Sequence, residues 1–331
     1  MYSCENSSKD EVELKPEKEL DTIVKSELEL LNLAISVDSL NGMKFLNRAN
    51  YYLKKNNVYE AHDDYSKAYM LDSSNIDIML AVADFLPKTG YAEEAFRIYN
   101  KVLNTRGKNK EAFLGLSKIQ AYLKNYKEAL SLADSALVMD IRSRDAYMLK
   151  AMIFRNMGSF KETVSSYQTA IEQDVDYIPA YVALGNVYAN KEKASKKDLV
   201  MAENYYNSAL EIDSNDLEAN YGMGMLLQNT GKYGQSLYMY DRIMKNDPNF
   251  STALFNQGYI YLNLKVNLDS ATYFFEETIK VDSMYYQAYH NLGEAYKRKG
   301  NLEKAKSHYR SALRIEPEFE LSLEAVKNIY K

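Results

Sequence analysis

Apolar residues recur at spacings of three and four along most of the chain, the period of an amphipathic helix. Ala305, Tyr309 and Ala312 show it, as do Tyr289, Leu292, Gly293 and Tyr296. The helical stretches are themselves periodic. A column of small residues runs through Ala49, Ala83, Ser117, Ala151, Gly185, Gly224, Gly258 and Gly293, at spacings of 34, 34, 34, 34, 39, 34 and 35. A second small column follows at Ala61, Ala95, Ala129, Thr163, Ala202, Ser236, Ala271 and Ala305. Four residues past each of these stand Tyr65, Tyr99, Ala133, Tyr167, Tyr206, Tyr240, Phe275 and Tyr309. The pattern predicts eight like units of two amphipathic helices each. Small side chains let the paired helices approach, and a ring one turn on fills the space beside the contact. Gly90, Gly158, Gly231 and Gly300, with Asn56 in the first unit, fall between the two helices. That is where a left-handed residue ends a helix. Pro248 and Pro317 mark turns between units, and Pro87 predicts a kink or an early stop in a first helix.

The last unit reads YHNLGEAY, then AKSHY, then Glu316-Pro317. It resembles the tetratricopeptide repeat, with Tyr289 where that family usually carries Trp. The resemblance covers residues 42–319, divided as 42–75, 76–109, 110–143, 144–177, 178–216, 217–250, 251–285 and 286–319. It implies an all-α, right-handed superhelical solenoid of antiparallel helix pairs. Gln120, Ala133 and Asn220 replace aromatics of the pattern, which predicts looser packing in the third unit. Residues 1–22 read as a flexible tether. Residues 23–41 read as an N-terminal capping helix or half repeat, helical over 23–37. Residues 320–331 read as a C-terminal capping helix with Leu323, Val326 and Tyr330 on its buried face. Lys327 stands there in the small column, where a large charged residue is tolerable only if no second helix follows.

Composition excludes several classes. With only 13 Gly and 5 Pro in 331 residues, an all-β fold lacks its turn formers. Lys and Arg number 41 against 46 Asp and Glu, a net charge of −5, which argues against nucleic-acid binding by bulk charge. No apolar run reaches the length of a membrane span. The three histidines, His62, His290 and His308, do not share a metal-binding helical spacing. No phosphate-cradling Gly-rich loop occurs, and Gly222-Met-Gly224 lies inside a helical stretch rather than after a strand. A single cysteine, Cys4, excludes a disulfide scaffold and a Cys-cluster zinc site. The expectation is a non-enzymatic protein with no cofactor, no metal and no small-molecule substrate.

The family resemblance implies a protein or peptide partner in the concave groove lined by first helices. Wall positions lie one residue after the small column and three to four residues on either side. They are mixed in charge through the N-terminal half. In the sixth and seventh units they become Tyr221, Met225, Asn229, Phe255, Tyr259 and Asn263, flanked by Asn186 and His290. Aromatics and Met are enriched at interface cores, and Asn serves an extended backbone. These eight residues are the candidate partner contacts; the alternative is that Tyr221, Phe255 and Tyr259 only pack between neighbouring first helices. Some members of the family clamp a terminal carboxylate with Lys and Asn from consecutive first helices. Asn50 and Asn186 fit that Asn column, but Leu46 and Val182 stand where Lys is needed, which disfavours a chaperone-tail receptor. The insert around residues 190–198, NKEKASKKD, reads as a longer solvated turn or as a basic docking loop.

The chain starts MYSCENSSKDEVELKPEKELD. This resembles the start of a mature bacterial lipoprotein, in which Cys4 carries lipid and the following residues form a tether. It implies an apolar signal segment ahead of Tyr2-Ser3 in the reading frame. The other reading is an ordinary exposed Cys. The functional expectation is a scaffold held at the bacterial outer membrane, periplasm or cell surface, touching membrane only through Cys4. The alternative is a soluble cytoplasmic regulator or assembly chaperone of the same fold.

Overall fold

The computed structural model describes residues 26–264 and 267–329. Cys4, the tether, residues 23–25 and Tyr330 therefore lie outside the described residues. The chain forms two compact units, one ending at Gly107 and one starting at Lys108. The first holds α1 (Glu27–Val37), α2 (Gly42–Lys54), α3 (Val58–Leu71), α4 (Ile76–Phe85) and α5 (Ala92–Arg106). The second holds α6 (Lys110–Tyr122), α7 (Tyr126–Met139), α8 (Arg144–Asn156), α9 (Phe160–Gln173), α10 (Ile178–Ala189), α11 (Lys196–Ile212) and α12 (Leu217–Asn229). It continues through α13 (Tyr233–Asn246), α14 (Ser251–Tyr259), α15 (Leu268–Val281), α16 (Tyr286–Arg298), α17 (Leu302–Ile315) and α18 (Glu320–Asn328). No strand occurs among the described residues. The even-numbered helices from α2 to α16 are the first members of hairpins and pack on the odd-numbered helix that follows. The molecule is an all-α repeat array.

The three periodic columns form the core of each hairpin. Every position in them is buried, from Ala49, Ala61 and Tyr65 to Gly293, Ala305 and Tyr309. The small column is small because a ring lies on it. A Cβ at Gly185 would stand 2.5 Å from Cε1 of Tyr206, and one at Gly258 would stand 2.7 Å from Cε1 of Phe275. The turn column has left-handed backbone at Asn56 (φ 60°) and Gly90 (φ 90°), and Lys124 in the third unit adopts it too (φ 63°). Pro87 acts as its ring requires: α4 stops at Phe85 and the chain tightens into a 3₁₀ turn over Leu86–Thr89.

Two expectations change. The third hairpin does not loosen. Ser117 Oγ donates to the Ala129 carbonyl at 2.7 Å across it, and Ala133, in the place of the missing ring, is fully buried. In α18 the buried residues are Ser322 and Ala325, followed by Ile329 just past its end, with Val326 half-buried. Leu323 is not on the buried face: it is 48% exposed. It repeats the position of Tyr289, which is half-buried where a second helix follows, and none follows α18 among the described residues. Lys327 is exposed for the same reason.

The insert in the fifth unit is ordered by its own charges. Ser195 and Asp198 form a reciprocal cap on α11. Lys191 Nζ lies 2.9 Å from Asp198 and 4.9 Å from the Phe160 ring centre. These bonds hold the Asp198 carboxyl down at about 2, first through the Ser195 side chain and then through Lys191.

Candidate partner-binding face

The first helices carry two kinds of wall position. Those three residues before the small column are Leu46, Leu80, Leu114, Met148, Val182, Tyr221, Phe255 and His290, all apolar or aromatic in bulk. They pack against neighbouring elements. Leu46, Leu114 and Val182 are buried. Phe255 stacks on Tyr285 at 5.0 Å and meets Phe275 at 5.7 Å. Tyr221 meets Phe250 at 5.8 Å and Tyr240 at 6.2 Å, and its oxygen accepts from Asn256 Nδ2 at 3.3 Å. His290 sits under the last helix: its Nδ1 is 2.9 Å from Ser322 Oγ, and its ring meets Phe319 and Tyr309. Burial pushes its pKa down.

Positions one residue after the small column are more open, and most have a specific job. The hydroxyl of the ring column donates to them. Tyr65 donates to Asn50 at 2.6 Å, Tyr206 to Asn186 at 2.7 Å, Tyr99 to Asp84 and Tyr309 to Glu294. Where the ring column lacks a hydroxyl, the corresponding position is neither Asn, Asp nor Glu: it is Lys118 in the unit of Ala133 and Tyr259 in the unit of Phe275. In the sixth unit the position is Met225, and Tyr240 turns to Gln228 instead, at 3.3 Å. Met225 Sδ accepts from Asn256 Nδ2 at 3.4 Å.

Three adjoining surface cavities lie along α8, α10 and α12. One of about 450 Å³ is lined in part by Arg155, Phe160, Asn186, Asn190, Lys191 and Glu192. The second, of about 260 Å³, lies between Met148, Met152, Arg155, Tyr167, Ile178, Val182, Asn186, Asp216 and Glu218. The third, of about 240 Å³, lies between Asn186, Asn190, Tyr206, Tyr221, Met225 and Asn229. Asn186 belongs to all three. The structure thus brings Asn186, Tyr221, Met225 and Asn229 together around one cavity. Phe255, Tyr259, Asn263 and His290 are elsewhere. Tyr259 is 38% exposed at the end of α14. Asn263 lies in the π-helical stretch Ile260–Leu264, where Arg298 donates to its side chain at 3.0 Å and to the Leu262 carbonyl at 2.7 Å. Arg155, Met148, Met152 and Tyr167, absent from the eight candidates, also line these cavities.

Among the described residues no group of three or more His, Cys, Asp or Glu could hold a metal ion, and no helix is long and apolar enough to cross a membrane.

The family model of the tetratricopeptide repeat matches residues 145–176 and 286–319. Protein bimA of Emericella nidulans is 29% identical over 108 residues, which span 33% of this chain and 13% of bimA. The solved APC/C hetero-tetramer Cut9-Hcn1 is similar over 92% of this chain and 58% of that one, with a TM-score of 0.57 at 16% identity. PilW, a widely conserved type IV pilus biogenesis factor, is similar over 66% of this chain and 98% of its own, with a TM-score of 0.55 at 17% identity. Identities this low show the fold alone, and the chain spans only a small part of bimA. The units outside the two matched stretches repeat the same columns and the same hairpin. Two of the eight units thus match the tetratricopeptide repeat model, and the chain has the fold of an array of such hairpins.

Proposed function

We propose that this chain is a non-enzymatic scaffold that holds a partner protein through an extended segment laid along α8, α10 and α12. Tetratricopeptide repeats mediate protein–protein interactions, and the observation that supports this particular face is the run of three adjoining cavities sharing Asn186. Their walls mix Met, aromatic and Asn side chains, the composition of an interface core able to bond a passing backbone. The test selects dodecapeptides from a random display library on the full chain. Binding is then measured by fluorescence anisotropy against Met225→Lys. The reading requires selected peptides to compete with one another and to lose affinity on Met225→Lys while helicity stays unchanged. No selectable peptide, or peptides indifferent to Met225→Lys, would refute it.

The scaffold is read as anchored at a bacterial envelope through a lipidated Cys4, on the lipoprotein-like sequence around that residue. Expression of the full reading frame with and without Cys4→Ser, followed by detergent partition, tests this. Equal partition of the two forms would remove the anchor.

A further inference from the structure

Tyr167 breaks the pattern of paired ring hydroxyls. The residue is fully buried, and its hydroxyl has no hydrogen-bond partner among the described residues. The position that supplies an acceptor in other units is Met152, whose thioether is a weak one. Packing alone does not call for a hydroxyl here, because Phe275 fills the same column in the seventh unit without one. A buried donor kept without a partner carries a standing cost.

The 260 Å³ cavity beside it gathers further donors. The Arg155 guanidinium is exposed and has no hydrogen-bond or ion-pair partner among the described residues. Its charge is felt at Tyr167: burial pushes that phenol up and Arg155 pulls it partly back. Asn186 spends its oxygen on Tyr206, which leaves its Nδ2 as a donor. Met148, Met152, Ile178 and Val182 make the apolar part of the wall.

We propose that this cavity receives one acidic side chain of the bound segment, an Asp or Glu beside an apolar residue. Its carboxylate accepts from Arg155 and from the Tyr167 hydroxyl, and the apolar neighbour rests on Met148, Met152, Ile178 and Val182. Tyr167 and Met152 line the cavity together, and the Met152 side chain is unbranched and 41% exposed, so it can shift as the carboxylate approaches the buried hydroxyl. The carboxylate is a side chain rather than a chain end because two further cavities adjoin this one through Asn186, which gives the segment room to continue beyond it. It is a single acid rather than a run. Glu218 lines the same cavity, together with Asp216, which already caps α12 through the Ala219 amide; Glu192 lines the neighbouring one, and Lys191 there is already paired with Asp198. This inference rests on the proposed peptide-binding face and adds the chemistry of its ligand.

The test uses fluorescein-labelled dodecapeptide pools with randomised flanks and a fixed centre of Glu-Leu, Gln-Leu or Glu-Glu-Glu. Each pool is made with a free and an amidated C-terminus. Anisotropy is read on the full chain and on Arg155→Gln, Tyr167→Phe and Met152→Asn. The Glu-Leu pool should bind about tenfold tighter than Gln-Leu, the gain of a charge-assisted contact. That preference should vanish in Arg155→Gln. Tyr167→Phe should weaken the Glu-Leu pool several-fold with no loss of thermal stability, which separates ligand contact from a structural role. Met152→Asn, by offering the hydroxyl an internal acceptor, should do the same. Amidation should change nothing, and the triple-Glu pool should not gain. Equal binding of Glu-Leu and Gln-Leu, or a preference that survives Arg155→Gln, overturns the inference. Dependence on a free C-terminus also overturns it and assigns a terminal carboxylate instead. If the pools bind without acid preference and Met225→Lys abolishes binding, the face stands and only this inference falls; if no pool binds, both fall.

Discussion

Two tyrosines in one column should respond in opposite ways to loss of the same atom. Tyr206→Phe removes a hydrogen bond of 2.7 Å to Asn186 Oδ1. Such a bond contributes about 0.5–1.5 kcal/mol net. Asn186 is half-buried on the 240 Å³ cavity, so water can resolvate its oxygen and the loss should stay near about 1 kcal/mol. Tyr167→Phe removes no bond and deletes a buried unpaired donor, whose standing cost is about 1–3 kcal/mol. With part of that gain offset by the contacts the buried oxygen loses, the change should lie between zero and a gain of about 1 kcal/mol. Met152→Asn restores the missing acceptor and should stabilise by about 0.5–1.5 kcal/mol, an effect that vanishes in the Tyr167→Phe background. Urea unfolding followed by circular dichroism measures all four, with slopes compared so that a loss of cooperativity along the array is not read as a stability change. A Tyr167→Phe variant destabilised as much as Tyr206→Phe would refute the reasoning, since the hydroxyl would then be paired.

Three more outcomes follow from the geometry. Gly258→Leu drives a side chain into the Phe275 ring and should cost about 1–3 kcal/mol or more, while Lys327→Leu, on an exposed face, should change stability by under about 0.5 kcal/mol; equal urea midpoints would overturn the register. The Asp198 carboxyl sits at about 2 when folded against an ordinary value of about 3.9, so its contribution is complete above pH 4 and is lost as pH falls toward 2. Asp198→Asn should therefore flatten the acid limb of the melting temperature between pH 4 and 2, and an unchanged limb would remove the capping network from the account. Burial lowers the pKa of His290 and of His308, so the folded state prefers both neutral, and stability should decline as pH falls below about 6.5. His290→Gln should reduce that decline, read as melting temperature between pH 7.5 and 5.5; an identical slope would show that the ring is not held neutral under the last helix.

Much of the fold is legible in the sequence. The three columns, the left-handed turn and the effect of Pro87 follow from side-chain size and backbone freedom, which a residue's identity carries wherever it sits. The eight wall candidates were harder. Tyr221 and Phe255 have the bulk and polarity of interface residues, yet those properties also suit packing between adjacent hairpins, and only the rings at 5.0–5.8 Å separate the two uses. His290 looked like a groove residue because α18 follows it by a full repeat, a distance over which sequence spacing says nothing of contact. Leu323 is apolar, but apolarity alone does not tell whether a helix covers a position, and it stands 48% exposed.

The residue that best marks the candidate site was nevertheless visible in the letters. Tyr65, Tyr99, Tyr206 and Tyr309 each align with Asn, Asp, Asn or Glu one residue past the small column, and Phe275 and Ala133 align with residues that are not such acceptors. Tyr167 beside Met152 and Tyr240 beside Met225 are the mismatches, and the structure resolves only the second, through Gln228. The two kinds of wall position thus divide the work. Residues three before the small column weld one hairpin to the next, so changing them unsettles the stack. Residues one after it are more open, and in four units their bond to the core is one ring hydroxyl, so their identity can shift at a cost of about one hydrogen bond. A binding face on this array is therefore altered most cheaply where that bond is absent, and the fourth unit is where a buried tyrosine stands without one.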